Sequence, residues 1–369
     1  MRYTREDGCR AWLMHGLLRP DTLSRLLDEF GSAEVIYDGL MKNGTGFLRE
    51  RRITGSSITA LKEHADAHSM HEMMLTMQKL NAGILHVDDA CYPDLLRNIP
   101  SPPPLLFYRG NPDCLMGKCI TIVGSRTASP QGLEVTRSIS RELSRAGVTI
   151  ISGLAMGIDA AAHEGCLEGG SPTVAILACG MDVDYPIENL ELRERIVKSG
   201  GLLLSEYPFG MRANKYVFAS RNRIMSGLSR AVLMMESRIK SGSMLTVQHA
   251  LDQGRDVYAY PGVPGTEWAE GAHQLLRDGA IYFTSAQDVL EDQGWQSDAP
   301  APTQQQKQAL PPMSDDQRKI YTLLSRGEMS FDELVAESGL SVPTISVALT
   351  MLQMMGLVKA MPGKSYCRA

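Results

Sequence analysis

Several features that are common in other classes of protein are missing from this sequence. No segment approaches the run of about 20 apolar residues that a membrane-spanning helix needs. The amino terminus, MRYTREDGCRAWLMHG, has no apolar signal core. The seven cysteines are scattered and odd in number, and no two of them form a CxxC pair. We therefore expect reduced thiols, no metal site, no membrane partner and a cytoplasmic location.

Motifs for nucleotide cofactors and for catalysis are missing as well. The chain contains neither the GxGxxG sequence of dinucleotide sites nor the GxxxxGK[ST] sequence of ATPase P-loops. It shows no Ser, His and Asp order, no metal-ligand cluster and no carboxylate pair typical of a catalytic site. We therefore expect no cofactor and no catalytic residue.

Aromatic residues are scarce, and acidic residues outnumber basic ones. The 369 residues are 43% hydrophobic, 21% charged and 6% aromatic, with a formal net charge of −5. This composition is typical of a soluble globular protein, and the length predicts two or three domains. The acidic balance excludes wholesale electrostatic binding of nucleic acid, but it leaves room for a local basic groove.

The pattern of the sequence changes three times along the chain. Residues 1–80 have apolar positions near helical spacing, which predicts a small helical domain. Residues 81–294 alternate short apolar runs with amphipathic segments seven times, which predicts a mainly parallel, doubly wound α/β sheet. Residues 295–314 are rich in Pro, Gln and Ala and predict a linker. Residues 315–369 predict three short helices and two strands about a Pro-Gly turn, a winged-helix pattern.

Glycine and serine follow three of the predicted strands. The segments are Gly124-Ser125-Arg126 after CITIV, Ser152-Gly153 after VTII, and Ser241-Gly242-Ser243 after AVLMMES. Ligands of open α/β sheets bind beyond the carboxyl ends of the strands. Glycine lets a phosphate approach the backbone, and the following helix offers free N–H groups. A single turn of this kind is commonly only a turn, but several on one sheet edge predict an anion-binding surface.

The segment FASRNRIMSG contains a fourth corner, formed by Arg221, Asn222 and Arg223 at what looks like the start of a helix. Lys215 and Phe218 stand just before it. A cation followed three residues later by an aromatic ring suits neutralisation of a nucleic-acid backbone and stacking of a base. Phe218 could equally belong to the core.

The two arginines of this corner are expected to have different roles. They are two residues apart, so on a regular helix they would not share a face. We expect one of Arg221 and Arg223 to grip phosphate and the other to be held by a carboxylate, such as Glu206 or Glu236. Asn222 is expected to bond the backbone at the turn.

Asp159 and His163 lie four residues apart on a helix predicted to start near Ile158. The pair could act as a catalytic acid and base. The alternative, which we favour, is that Asp159 bonds N–H groups at the helix start and that His163 is packed and hydrogen-bonded.

Seven segments in order, from about residue 80 to about residue 290, resemble the DNA-processing protein A family (DprA, also called Smf). They are VGSRTASPQG, SGLAMGIDAAAHEG, AILACGMDVDYPIEN, LLSEYPFG, FASRNRIMSGLS, SGSMLTV and GRDVYAYPG. The resemblance implies an extended Rossmann-like domain between a sterile-alpha-motif-like (SAM-like) helical domain and a winged helix. It implies a dimer, without enzymatic activity, that binds single-stranded DNA and loads RecA recombinase on incoming DNA in natural transformation. The residues that it would place along the DNA are Gly124, Ser125, Arg126, Ser152, Gly153, Lys215, Phe218, Arg221, Asn222, Arg223, Ser241, Gly242 and Ser243.

Because the family is dimeric, the resemblance also implies a dimer interface, which we expect at the helix EGAHQLLRDGA. We expect this helix to expose Leu275 and Leu276 near the end of the sheet and one of the two to lack a core partner. That leucine would contribute to a two-fold dimer interface.

Two other functions compete with DNA loading. Related Rossmann-like phosphoribohydrolases, which release bases from nucleoside monophosphates, carry PGGxGTxxE, and residues 261–267 read PGVPGTE. Val263 replaces the second glycine and Glu267 lies too close to Thr266, so the match is partial. A transcription regulator acting through the winged helix is weaker still, because VPTISVALTMLQMMG has no Lys or Arg to contact DNA.

Overall fold

The computed structural model describes residues 3–295, 313–324, 327, 329–355, 357–361 and 365–368. The chain forms two compact units, Met1–Trp295 and Gln296–Ala369. Nearly all of the predicted linker, 295–314, lies outside the described residues. The division of the first unit into domains at residues 1–80 and 81–294 stays a prediction.

Residues 3–80 are mainly helical, as their periodicity predicts. The helices are α1 (Arg5–Met14), α2 (Pro20–Phe30), α3 (Ala33–Asn43), α4 (Gly46–Arg49), α5 (Gly55–Glu63) and α6 (Ala67–Leu80). Gly31 ends α2 with a φ of 75°, a left-handed conformation that glycine adopts without strain. Trp12 is fully buried at the centre of the bundle and donates its indole N–H to the carbonyl oxygen of Leu61 at 2.8 Å.

Nine strands form one sheet in the remainder of this unit. They are β1 (Gly83–His86), β2 (Leu105–Gly110), β3 (Lys118–Val123), β4 (Val148–Ser152), β5 (Thr173–Ile176), β6 (Leu202–Ser205), β7 (Ala231–Met234), β8 (Asp256–Ala259) and β9 (Ile281–Tyr282). The strand order is β1-β2-β6-β5-β4-β3-β7-β8-β9. The seven strands from β6 to β9 are parallel, which confirms the prediction, while β1 and β2 add antiparallel to the β6 edge.

Helices cover both faces of this sheet. They are α7 (Asp94–Arg97), α8 (Pro130–Arg145), α9 (Ile158–Gly169), α10 (Leu190–Lys198), α11 (Lys215–Gly227), α12 (Gly242–Asp252), α13 (Glu270–Arg277) and α14 (Ala286–Asp292). Alternate residues of the central strand β3 enter opposite cores: Ile120 packs in the core that contains α8 and α9, and Cys119 packs in the core that contains α11 and α12. This arrangement explains why the strands are apolar along their whole length.

The strand order reverses between β3 and β7. The chain runs outward from β3 through β4, β5 and β6, and then returns to the other side of β3 to form β7. Ser125 N donates to the carbonyl oxygen of Glu236 at 2.7 Å, so the loops that leave the two strands are joined. Open α/β sheets bind ligands in the crevice at such a reversal.

The second unit has the predicted winged-helix elements. They are α15 (Asp315–Leu323), β10 (Met329–Ser330), α16 (Phe331–Ser338), α17 (Val342–Met354), β11 (Val358–Met361) and β12 (Ser365–Arg368). The three strands pair in the order β10-β12-β11, and β10 is an addition to the predicted set. The predicted Pro-Gly turn lies outside the described residues.

Among the described residues, no single helix is long and apolar enough to cross a membrane. The helix pair Phe331–Ser338 and Val342–Gln353 passes this test by length and composition together, but it is bent by 116°.

Candidate nucleic-acid interface

The loop after β3 is bound on two sides by neighbouring loops. A Cβ atom at Gly124 would lie 2.6 Å from Cγ1 of Ile158 and 2.8 Å from the carbonyl oxygen of Glu236. Loop packing therefore requires the glycine, whether or not a phosphate approaches it. The Glu236 carboxylate accepts from Ser129 N at 2.7 Å and from Ser129 Oγ at 2.6 Å, which holds the start of α8. Arg126, at the tip of the loop, is exposed.

Arg126 contacts the Phe218 ring on α11. Its guanidinium carbon lies 4.5 Å from the centroid of the Phe218 ring, a cation–π contact. Phe218 is partly buried and also contacts Tyr185, with ring centroids 5.8 Å apart. Lys215 is exposed in the first turn of α11, where Asn214 caps the helix. Arg126 and the Phe218 ring are thus in contact, while the ammonium of Lys215 lies 5.0 Å from the centroid of the Tyr216 ring.

Arg221 is the main correction to the sequence prediction. We expected it near a helix start and facing the DNA, but α11 already begins at Lys215 and Arg221 lies in its interior. The residue is only 3% exposed, and its guanidinium donates to the carbonyl oxygen of Ile176 in β5. It therefore supports the sheet from within and does not line an open pocket.

The buried Arg221 also explains the neighbouring Gly153. A Cβ atom at Gly153 would lie 2.3 Å from Nη1 of Arg221, so the guanidinium occupies the space that a side chain would fill. Ser152 is fully buried and donates to the carbonyl oxygen of Ile122 at 2.7 Å. The expectation that these two residues contact DNA is not met by their placement, because the sheet and α11 enclose them.

Arg223 takes the structural role that we expected of one arginine. It lies about 200° around α11 from Arg221 and forms an ion pair with Glu206, at the end of β6. Both side chains are largely buried. Burial raises the pKa of Glu206, and the positive charge of Arg223 opposes that rise. Both arginines are therefore held within the protein, so neither is free to grip phosphate as placed.

The loop after β7 has a cluster of hydroxyl groups at the start of α12. The Oγ atoms of Ser237, Ser241 and Ser243 lie 2.6 to 3.1 Å apart. Asn222 is 7% exposed, and its side-chain amide donates to the carbonyl oxygen of Gly242 at 3.1 Å. Asn222 therefore bonds backbone at a turn, as expected, and it joins this loop to α11.

Asp159 and His163 have the structural roles that we favoured. A carboxylate oxygen of Asp159 accepts from Ala155 N at 3.3 Å near the start of α9. His163 is fully buried, with Nδ1 2.7 Å from the hydroxyl of Thr173. Burial lowers the pKa of His163 to about 3, so the ring is neutral at pH 7 and packed among neighbours.

The loop after β8 contributes a residue that the sequence reasoning missed. Trp268 donates its indole N–H to the carbonyl oxygen of Thr127 at 2.7 Å, and its own carbonyl oxygen accepts from Ser237 N at 2.7 Å. Beside it, Arg238 pairs with Glu267 at 2.7 Å. The signal for this residue was a tryptophan in a Gly- and Pro-rich loop after a strand, in a chain that has three tryptophans.

Leu275 does not have the exposure expected of it. It is 6% exposed and packs in the core with α11 and α12, whereas Leu276 is only partly buried against the same core. The two side chains are about 100° apart around α13, so the helix buries the first leucine more fully than the second. The prediction of an interface at one of the two leucines now applies to Leu276.

Comparison with known proteins agrees with this architecture. A family model for DNA recombination-mediator protein A matches residues 83–294, and a model for the DprA winged helix domain matches residues 301–364. Protein Smf of Synechocystis is 37% identical over 324 residues, which cover 79% of this chain and 81% of that protein. This chain belongs to the DNA recombination-mediator protein A family. It is therefore a DNA-processing protein of the mediator class.

Solved structures of the family have the same fold. The X-ray structure of DNA processing protein A from Streptococcus pneumoniae superposes with a TM-score of 0.65 and 32% identity, covering 79% of this chain and 99% of that one. The corresponding protein of Helicobacter pylori superposes with a TM-score of 0.53 and 27% identity, covering 58% of this chain and 96% of that one. That second structure is described as showing a single-stranded DNA binding mode.

Proposed function

We propose that this mediator binds single-stranded DNA along the carboxyl ends of its parallel strands. The observation that carries the proposal is the contact of the exposed Arg126 with the Phe218 ring beside the strand reversal, with the exposed Lys215 three residues before Phe218 on the same helix. Cations neutralise the phosphate backbone, and an aromatic face accepts any base, so the arrangement suits strand binding without sequence preference. The single-stranded DNA binding mode of the Helicobacter pylori relative supports the same assignment.

The role that follows is the loading of RecA recombinase on incoming DNA during natural transformation, by a homodimer in the cytoplasm. The chain acts in this role by binding and not as an enzyme. Within the described residues, no group of three or more His, Cys, Asp or Glu side chains could hold a metal ion. A phosphoribohydrolase reaction is the alternative, and an assay for free base released from nucleoside monophosphates separates it from binding.

Single-stranded DNA is expected to bind more tightly than duplex DNA of the same length. The reason is that an unpaired base can stack on Phe218, whereas a base inside a duplex cannot reach the ring. The measurement is fluorescence anisotropy of labelled single-stranded and duplex oligonucleotides with the full chain, across a salt series. Equal affinities at every salt concentration would contradict the proposal.

Leu276 is expected to contribute to the homodimer interface. It is partly buried on α13, the helix that precedes the edge strand β9, and the edge residues Ile281 and Tyr282 are exposed. Edge strands and exposed apolar side chains are common sites of self-association. Leu276→Arg should shift the dimer toward monomer in light scattering.

The matched control for this experiment is Leu251→Arg, because Leu251 is 55% exposed on α12. It should leave the mass unchanged. Thermal melting of both variants checks that each is folded. A folded Leu276→Arg variant that keeps the mass of the wild-type protein would remove this residue from the interface.

A further inference from the structure

Trp268 lies at the strand reversal, next to the residues proposed to bind DNA. Its indole N–H is bonded to Thr127, the residue that follows Arg126, and its carbonyl oxygen is bonded to Ser237 in the loop after β7. The loop after β3 therefore holds the indole ring, the loop after β7 holds the backbone of Trp268, and the residue remains partly exposed. Trp268 is therefore not a buried core residue, and it lies on a loop between two of the loops that were expected to face a ligand.

Exposed cations lie on the loops next to Trp268. Arg126 lies against the Phe218 ring on one side, and the backbone of its neighbour Thr127 holds the Trp268 ring on the other. Arg238 and Lys240 follow on the loop after β7, and both are exposed. Glu267 pairs with Arg238, so part of this positive charge is neutralised in the free protein. The loops at the strand reversal thus contain two aromatic rings, Phe218 and Trp268, with Arg126 at the first ring and further cations on the loop after β7.

We infer that Trp268 is a second stacking platform, on which a base of the single strand lies after the nucleotide at Phe218. This inference rests on the proposed function and names a contact that extends it from one nucleotide to a longer track. Tryptophan has the largest aromatic face, and stacking is tolerant of sequence because every base presents a π-face. A ring already held by a hydrogen bond loses little freedom when a base stacks on it.

The natural fluorescence of the chain tests the inference directly. The chain has three tryptophans, and the other two, Trp12 and Trp295, are 0% and 7% exposed. Addition of oligothymidylate to the full chain should quench tryptophan emission. Trp268→Phe should abolish the quench, and the control Trp295→Phe should keep it.

The affinity of Trp268 variants for oligothymidylate distinguishes stacking on the ring from a role in which the indole N–H only stabilises the Arg126 loop. Trp268→Phe keeps a ring but loses the bond to Thr127, and it should bind oligothymidylate nearly as well as the wild type in fluorescence anisotropy. Trp268→Ala should bind roughly 5- to 150-fold more weakly, the loss of one stacked base. If Trp268→Phe and Trp268→Ala are equally weakened, the residue only braces the Arg126 loop and the inference is wrong.

Two further outcomes distinguish this inference from the proposed function. If Trp268→Ala binds like the wild type while Lys215→Ala is weakened, the strand bypasses Trp268 and the inference alone fails. If the folded wild-type chain does not bind oligothymidylate, the proposed function fails and this inference fails with it.

Discussion

Arg221→Met should lower the free energy of unfolding by about 3–5 kcal/mol, because it removes a buried positive charge that stabilises the charged form of the buried Asp159. Arg221 and Asp159 are both buried, and the positive charge of Arg221 opposes the rise that burial causes in the pKa of Asp159. Methionine fills much of the volume but supplies neither the charge nor the bond to the carbonyl oxygen of Ile176. The measurement is unfolding in urea followed by circular dichroism.

Two variants serve as controls for this experiment. Asp159→Asn combined with Arg221→Met should recover part of the loss, because the amide carries no charge to be left uncompensated. Arg137→Met removes an arginine of α8 that pairs with glutamates on the surface, and it should cost no more than about 1 kcal/mol. A single Arg221→Met variant as stable as the wild type would show that the buried charge has another partner.

The second large effect is expected in DNA binding. Its dependence on salt should distinguish the stacking of a base from contacts with phosphate. Phe218→Ala should cost about 1–3 kcal/mol of binding free energy at low and at high salt, because stacking involves no counterions. Lys215→Ala and Arg126→Ala should each flatten the plot of log affinity against log salt by roughly 0.7, one phosphate's share for a single strand. Their losses should shrink as salt rises. The measurement is anisotropy with a labelled oligonucleotide over a salt series.

Phe218→Leu is the matched control for the ring, since leucine keeps apolar volume against Tyr185 but offers no stacking face. It should bind as weakly as Phe218→Ala while melting nearer to the wild type. If Phe218→Leu binds DNA normally, the ring belongs to the core and not to the interface. Because Arg126 lies against this ring in the free protein, the combination of Arg126→Ala and Phe218→Ala should not be additive.

Part of the candidate interface could be predicted from the sequence because it depends on local pattern. Alternation of apolar runs and amphipathic segments indicates parallel strands, and ligand-facing loops follow such strands. This reasoning led to Arg126 and Phe218, which the structure brings into contact, and to Lys215, which begins the helix that contains Phe218. It did not lead to Trp268, because loops have no periodicity from which contacts can be read.

The sequence by itself determined the class of fold, the winged-helix pattern and the loops that meet at the strand reversal. Helical spacing also determined that Arg221 and Arg223 point in different directions. Only the tertiary structure decided which direction each takes, because α11 packs one arginine against β5 and the other against the end of β6. Spacing gives the angle between two side chains, but the long-range packing of the helix sets which face is buried. For this reason a pair of arginines that resembles a phosphate clamp in the sequence is part of the protein's interior.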